Sequence, residues 1–467
     1  MRRVAVRGVA DATGALLIRG DADQALDGFS TDSRALRSGE IFIALSGPNF
    51  DGNRFARAAI EAGAGALLLR GDEADAAEHV HLPGAAPILL HPDPRRALGD
   101  LASWHRSHYD VPVLGITGSC GKTTVKNIVT ELLGTRMPFV SSPSSFNNDI
   151  GVPHTLLLGD EDTKLFVVEI GTNQRGEIAT LCRIARPTAG VITNIGASHL
   201  EGLGSLEGVA QEKGDLAAAI PREGFLVLNA DCRFLPELSG RTSAEVITFS
   251  TSGSGADLEA SDIVFHAGGT TFRLNGVEVT SPLLGTHNVQ NLLAALCVCR
   301  GLGIPVDEVL PAVSTLRGGS QRMERVQLDG ISLFDDSYNS NPDSSRAAVR
   351  FLSGLHGHAR RVLVLGDMLE LGDFGAEMHH ALGALAARSG IDLLVLAGEL
   401  TKAAAAGALE AGMPEGAVVH LETTEQATQD VPALLRDGDV VLVKGSRGMQ
   451  LERVVRAIVQ SRGPAED

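Results

Sequence analysis

The stretch LGITGSCGKTT, residues 114–124, is the part of the chain whose residue types and spacing most directly suggest chemistry. An apolar strand, a glycine-rich turn and a helix start would set several backbone N–H groups around one concavity, where the helix dipole favours an anion. Thr117, Gly118, Ser119, Cys120, Gly121 and Thr124 would form that cradle. Lys122 would lie along the β- and γ-phosphates of a nucleotide, and the Thr123 hydroxyl would be a Mg2+ ligand. The spacing departs from the strict phosphate-loop pattern, because five residues rather than four separate Gly115 from Gly121. The tighter match is T-G-x-x-G-K-T-T. The loop points to ATP with magnesium.

Downstream, Glu169 sits near the end of the apolar run FVVEI (166–170), and His199 follows another in TNIGASHLE (193–201). A carboxylate at the C-terminal end of a strand beside a phosphate loop is well placed to hold Mg2+. A single histidine at such an exit is either a ligand or a structural residue. Lys213, in QEKGD (211–215), reads locally as an ordinary surface lysine.

Elements must position these groups, and their pattern is α/β. A first unit, 1–110, holds a strand at 41–45, a helix running into a strand at 55–69, and a helix at 97–110. A second, 111–317, opens with VPVLGIT and the phosphate loop. It continues with buried strands at 166–170, 189–195 and 225–229, a loop at 251–259, and short alternating segments that suit a small antiparallel patch. A third, 318–467, has strand candidates at 361–366, 391–398, 417–421 and 439–445, each followed by helix-like sequence. Short apolar runs alternating with helix patterns indicate parallel strands covered on both faces, and the third unit reads as a Rossmann-like sheet. The tail at 464–467 is a short low-complexity end.

Composition narrows the function. Forty Lys and Arg against 57 Asp and Glu give a net charge of −17, which disfavours nucleic acid and anionic membranes as partners. No window approaches 18 uninterrupted apolar residues, and Arg7 and Asp11 interrupt any signal-peptide core near the N-terminus. Five cysteines, an odd number thinly spread, do not make a disulfide framework. The C-x-C pair Cys297 and Cys299 reads as two packed small hydrophobes. The expectation is a cytoplasmic monomer.

Taken as a set, the motifs resemble the Mur ligase family. They are TGSCGKTT, SFNNDIGVP (145–153), VEIGTNQRGEI (168–178), NIGASHLE (194–201), EKGD (212–215), GTHNVQNLLAA (285–295), DDSYNSNPDS (335–344), LGDMLELG (365–372) and VKGSRGM (443–449). STDSR (30–34) and FIALSGPNFDGN (42–53) agree, so the resemblance covers nearly the whole chain. It implies three α/β domains: a small N-terminal one, a central P-loop-type parallel sheet, and a Rossmann-like C-terminal one. It also implies that ATP phosphorylates a substrate carboxylate and an amine then displaces phosphate to leave an amide. The match is nearest to the branch with UDP-N-acetylmuramoyl-tripeptide and D-alanyl-D-alanine as substrates. A tripeptide-forming relative would carry an Asn-Pro-Arg motif, which this sequence lacks, and a folylpolyglutamate synthase would lack the first domain. A nucleotide-dependent switch would need no Glu169, His199 and Lys213 together.

Carried over position by position, the resemblance makes Lys122, Glu169, His199 and Lys213 the candidate catalytic residues, with Thr123, Glu169, His199 and Lys213 around Mg2+. Lys213 falls where the family has a lysine that is often carbamylated. Asn288 and Asn291 would hold the adenine edge, although Asn288 could instead cap the following helix. Arg322 would meet the phosphates, Asp336 the ribose, and Tyr338 the nucleotide. Thr31, Asp32, Ser33, Arg34, Gly52 and Asn53 would seat the UDP-sugar, with DGN standing where the family often has DGH. Asn147, Asn148, Thr172, Arg175 and Asn341 would serve the remaining substrate. Arg317–Gly319 would hinge the third unit as a lid over ATP.

Overall fold

A computed structural model describes residues 1–463 except 2, 48, 49, 135, 267, 268, 356 and 358. Pro48 and Asn49 of FIALSGPNFDGN and the 464–467 tail therefore lie outside the described residues. The fold is α/β. The chain forms two compact units: Met1–Gly115 with Thr135–Thr172 and Glu177–Gly190, and Ile116–Gly134 with Asn173–Gly176 and Val191–Asp467.

In the first unit a five-stranded sheet runs in the order Leu16–Arg19, Ile88–His91, Ala66–Arg70, Glu40–Ile43, Gly28–Ser30. The Leu16–Arg19 pairing is antiparallel and the others are parallel. Ile41, Ile43, Leu67, Leu68 and Leu69 are fully buried, as strands covered on both faces require. The expected helix at 97–110 is Pro94–Arg106. It starts earlier because Asp93 accepts hydrogen bonds from the Arg95 and Arg96 amides and Pro94 takes the first turn, where its missing N–H costs nothing. The same unit pairs Phe139–Ser141 in parallel with Leu165–Glu169, the strand that carries Glu169.

In the second unit the phosphate-loop helix is Lys122–Leu133. Strands Phe225–Asn229, Glu245–Ser250 and Leu258–His266 pair in parallel, and Gly269–Leu274 and Val277–Ser281 complete an antiparallel patch. The first strand of that patch begins at Leu258, inside the expected 251–259 loop, where buried Leu258 and Ala260 anchor it. Helix Thr286–Gly301 is buried almost throughout and packs Cys297 and Cys299 as small apolar residues. Burial pushes the Cys297 thiol well above its ordinary range.

A six-stranded sheet follows, in the order Glu324–Leu328, Ile331–Asp336, Asp439–Lys444, Arg360–Gly366, Leu393–Ala397, Val418–Leu421. The four expected strands are present, and all but the Glu324–Leu328 pairing are parallel. The hairpin Glu324–Asp336 was not among the sequence expectations. Its first strand is mostly exposed and polar, so it lacks an apolar run. Among the described residues no helix is long and apolar enough to cross a membrane.

Candidate active site

The phosphate loop is shaped by two glycines and fastened by one neighbouring segment. Gly118 and Gly121 have φ of +148° and +82°, and a Cβ on them would overlap Thr193 Oγ1 and Asn291 Oδ1 respectively. Ser119 N donates to Asn194 O (3.1 Å) and Cys120 N to Asn194 Oδ1 (2.9 Å), while Thr193 Oγ1 donates to Cys120 O. Ser119 Oγ donates to Gly196 O and accepts from Gly196 N, both at 2.9 Å, and Ser198 Oγ donates to it at 2.9 Å. Lys122 Nζ closes the loop on Gly118 O at 2.7 Å. Asn194 was missed as a loop holder. Its position two residues past the buried strand Ala189–Ile192 was the available signal.

Residues from segments that flank the strands of the six-stranded sheet lie against this loop. Arg322 donates to Thr123 Oγ1 at 2.9 Å and stacks 4.1 Å from the Tyr338 ring centre, with Arg447 at 5.5 Å. Gln321 and Met323, on either side of Arg322, have φ of +58° and +57°, strained values for residues with side chains. Asn341 Nδ2 donates to Ser119 O (3.2 Å) and to Cys120 Sγ (3.1 Å). Its Oδ1 accepts from Ser344 N, capping helix Pro342–Ser353. Asp343, unflagged in sequence, accepts from Ala197 N at 3.0 Å. Asp336 pairs with buried Lys444 at 2.7 Å, and Lys444 also donates to Asn339 O. Asn288 does not cap its helix, whose N-cap is Gly285; it donates to Leu284 O (2.9 Å) and accepts from Asn291 (3.1 Å).

Lys213 is not a surface residue. On helix Leu206–Ala219 it is 1% exposed, in line with Val209 and Leu216, an apolar spacing that marks a buried face. Burial, and secondarily the charge of Lys122, push its amine down to about 7, against weaker opposition from Glu212 and Cys120. His199 adopts φ +53°, and its Nδ1 lies 2.6 Å from Glu370 Oε2. Glu370, at φ +63°, has its carboxyl held below the ordinary range by that histidine. Arg175 donates to Leu203 O at 3.1 Å. Among the described residues no three His, Cys, Asp or Glu side chains form a ready metal cage.

The remaining expected residues belong to the first unit. Glu169 is fully buried, and Thr172 nearly so. Asn148 Oδ1 accepts from Ile150 N and Gly151 N at the start of helix Gly151–Leu157, and Asn147 O accepts from Gly171 N at 2.8 Å. Arg34 clasps Asp32 through two nitrogens and, as its hydrogen-bond donor, holds that exposed carboxyl at about 2; Thr31 and Ser33 beside it are half-buried. Gly52 is buried, and a Cβ there would lie 2.6 Å from the Ala44 carbonyl carbon. Asn53 spends both ends of its amide on Arg70, donating to O (2.8 Å) and accepting from N (2.9 Å). That amide shapes an open groove of about 700 Å³ lined also by Arg54, Arg70 and His79.

Three family models match the sequence: the Mur ligase family catalytic domain at residues 26–106, the Mur ligase middle domain at 116–299, and the Mur ligase glutamate ligase domain at 321–447. UDP-N-acetylmuramoyl-tripeptide–D-alanyl-D-alanine ligase of Bacillus subtilis is 36% identical over 93% of this chain and 94% of its own length. The enzyme of that name from Escherichia coli is also 36% identical, over 94% and 95%. A crystal structure of MurF from Acinetobacter baumannii superposes with a TM-score of 0.88 at 28% identity, covering 98% of this chain and 99% of that one. MurF ligase from Thermotoga maritima in complex with ADP gives 0.81 at 25% identity, over 93% and 97%.

Proposed function

Because the chain belongs to the Mur ligase family, we propose that it joins D-alanyl-D-alanine to UDP-N-acetylmuramoyl-tripeptide at the expense of ATP. The tripeptide carboxylate attacks the γ-phosphorus and ADP leaves, giving an acyl phosphate. The dipeptide amine, having lost a proton, attacks the acyl carbon; the C–N bond forms, the C–O bond breaks, and inorganic phosphate departs. No serine or cysteine nucleophile is needed, because the carboxylate is itself the nucleophile. The demand on the protein is clustered positive charge and exact placement of anions.

One observation carries the reading furthest. Arg322, just ahead of strand Glu324–Leu328, touches the hydroxyl of Thr123 in an ATP-type phosphate loop. In this reading Lys122 leaves Gly118 O to meet the β- and γ-phosphates, and Arg322 meets the γ-phosphoryl group as it transfers. Asp336 and Tyr338 take the ribose and base side of the nucleotide, with Asn288 and Asn291 at the adenine. The UDP-sugar falls to 1–110, ATP to 111–317, and the dipeptide to 318–467. Both substrates of the first step are cytoplasmic metabolites, which makes the cytoplasm the compartment, and we take the enzyme to act as a monomer.

The donor chemistry suits Mg2+, which takes oxygen ligands and keeps several waters. Thr123 offers a hydroxyl and Glu169 a carboxylate. Lys213, buried and with its amine lowered to about 7, gives up its proton far more readily than an exposed lysine, and the neutral amine adds CO2 to give a carbamate, a third oxygen donor. His199 would use Nε2, its Nδ1 being set against Glu370. Bound Mg2+ would neutralise charge on the phosphoryl oxygens. The test is phosphate release from ATP with UDP-N-acetylmuramoyl-tripeptide, with and without D-alanyl-D-alanine. Release that requires both substrates is expected. Equal release with D-glutamate or diaminopimelate in place of the dipeptide would overturn the reading.

A further inference from the structure

The roles above leave the incoming dipeptide without named contacts, and two adjoining loops of the six-stranded sheet offer a matched set. Open α/β sheets bind ligands outside the C-terminal ends of their parallel strands. Strands Arg360–Gly366 and Asp439–Lys444 pair in parallel and end side by side. Their loops are fastened together, with Leu369 N donating to Ser446 Oγ (2.9 Å) and Ser446 N to Asp367 O (3.1 Å).

On this paired rim Glu370 offers an anion and Arg447 a cation. Glu370 holds a left-handed φ of +63°, a strained conformation that commonly marks a functional position. Its side chain is 56% exposed although Oε2 faces His199. Arg447 is 58% exposed and makes a long 3.3 Å contact with Glu452 Oε1. Leu369 belongs to both loops, since a Cβ on Gly448 would lie 2.9 Å from Leu369 Cδ1, and it leaves 40% of its surface open.

We propose that Arg447 and Glu370 form the seat for the zwitterionic dipeptide, an inference that rests on the ligase reading. The Arg447 guanidinium receives the terminal carboxylate, whose planar fork it matches. The Glu370 carboxylate receives the ammonium, and Leu369 meets a methyl group between them. The ammonium is thereby delivered beside His199, whose neighbour Ser198 is bonded to Ser119 of the phosphate loop. Glu370 and Arg447 together select a ligand with opposite charges at its two ends and disfavour an acidic side chain next to Glu370.

The test is calorimetric binding to the full-length enzyme, saturated with UDP-N-acetylmuramoyl-tripeptide and a non-hydrolysable ATP analogue. The ligands are D-alanyl-D-alanine, its C-terminal amide and N-propionyl-D-alanine, which lacks the ammonium. Wild type should bind the parent at least tenfold more tightly than either analogue. Arg447→Met should lose the preference over the amide, to within twofold, yet retain the preference over the propionyl compound. Glu370→Gln should do the reverse. This crossed pattern is one that a merely structural role would not produce, and Arg447→Lys and Glu370→Asp stand in, with a weaker form of it, should either variant fail to fold. Equal weakening of all three ligands, or no selective loss, overturns the seat. Phosphate release by the wild type separates the two levels: turnover without the crossed pattern sinks the seat alone, and no turnover sinks the ligase reading with it.

Discussion

A lysine buried beside a second lysine is an amine held ready to give up its proton. With its amine lowered to about 7 from 10.5, Lys213 should react with CO2 at neutral pH and lose the carbamate as pH falls below about 7. Carbon-13 NMR in labelled bicarbonate should show one carbamate signal that Lys213→Met removes. The same variant should fall at least a hundredfold in kcat and recover in part with added acetate or formate, which can fill the anionic slot. Full activity in Lys213→Met would return this residue to packing alone. Stability carries the same sign. In CO2-free buffer the cost of the buried ammonium is full below about 7 and is relieved between about 7 and 10.5, because there the unfolded chain holds a proton that the folded amine has lost. The gain in denaturation midpoint across that window should vanish in Lys213→Met.

Two loop glycines and one cap make the element scale testable. Gly118→Ala would drive a Cβ into Thr193 at a φ that side chains avoid, so ATP KM should rise at least tenfold in a folded protein. Asn341 does two jobs, and substitution can separate them. Asn341→Ala should cost about 1 kcal/mol by removing the cap of Pro342–Ser353. Asn341→Asp keeps an acceptor for Ser344 N but loses the donor to Ser119 O and adds negative charge beside the phosphate loop. Its melting temperature should stay near wild type while ATP KM rises severalfold; parallel changes in both would contradict the separation. The loop, its helix and the longer apolar parallel strands were legible in the sequence, since apolar runs and glycine spacing report local geometry directly; Ile88–His91, Phe139–Ser141 and Glu245–Ser250, short or partly exposed, were not. The Glu324–Asp336 hairpin was not, because its first strand is an exposed edge without an apolar run. That the Arg70 backbone meets both ends of the Asn53 amide was not legible, because sequence cannot show which backbone a side chain reaches. Glu370 and Asp343 were invisible for the same reason: their partners, His199 and Ala197, are over a hundred residues away in sequence.

For the whole molecule the question is when the C-terminal sheet meets the phosphate loop. Within the second unit Arg322, Asn341, Asp343 and Glu370 already reach Thr123, Ser119, Ala197 and His199. The proposed hinge is itself tethered, as Arg317 N donates to Glu131 Oε2 at 2.7 Å on the phosphate-loop helix. A lid that opens at rest and closes on substrates leaves a mark on the Ala197 amide, which is bonded only while Asp343 is docked. Hydrogen exchange at Ala197 should be fast in the free enzyme and slow with ATP analogue and UDP-substrate, and fast in both states for Asp343→Ala. Slow exchange in the free enzyme would mean the docked arrangement is the resting one and the lid idea is wrong. Closure matters to the chemistry because an acyl phosphate exposed to water is hydrolysed. The reaction turns on that intermediate, and oxygen-18 in the terminal carboxylate of the tripeptide reports on whether it forms. If ATP phosphorylates the carboxylate, one labelled oxygen leaves with inorganic phosphate and the other stays in the new amide. Inorganic phosphate free of label, with the amide formed, would rule out the acyl phosphate.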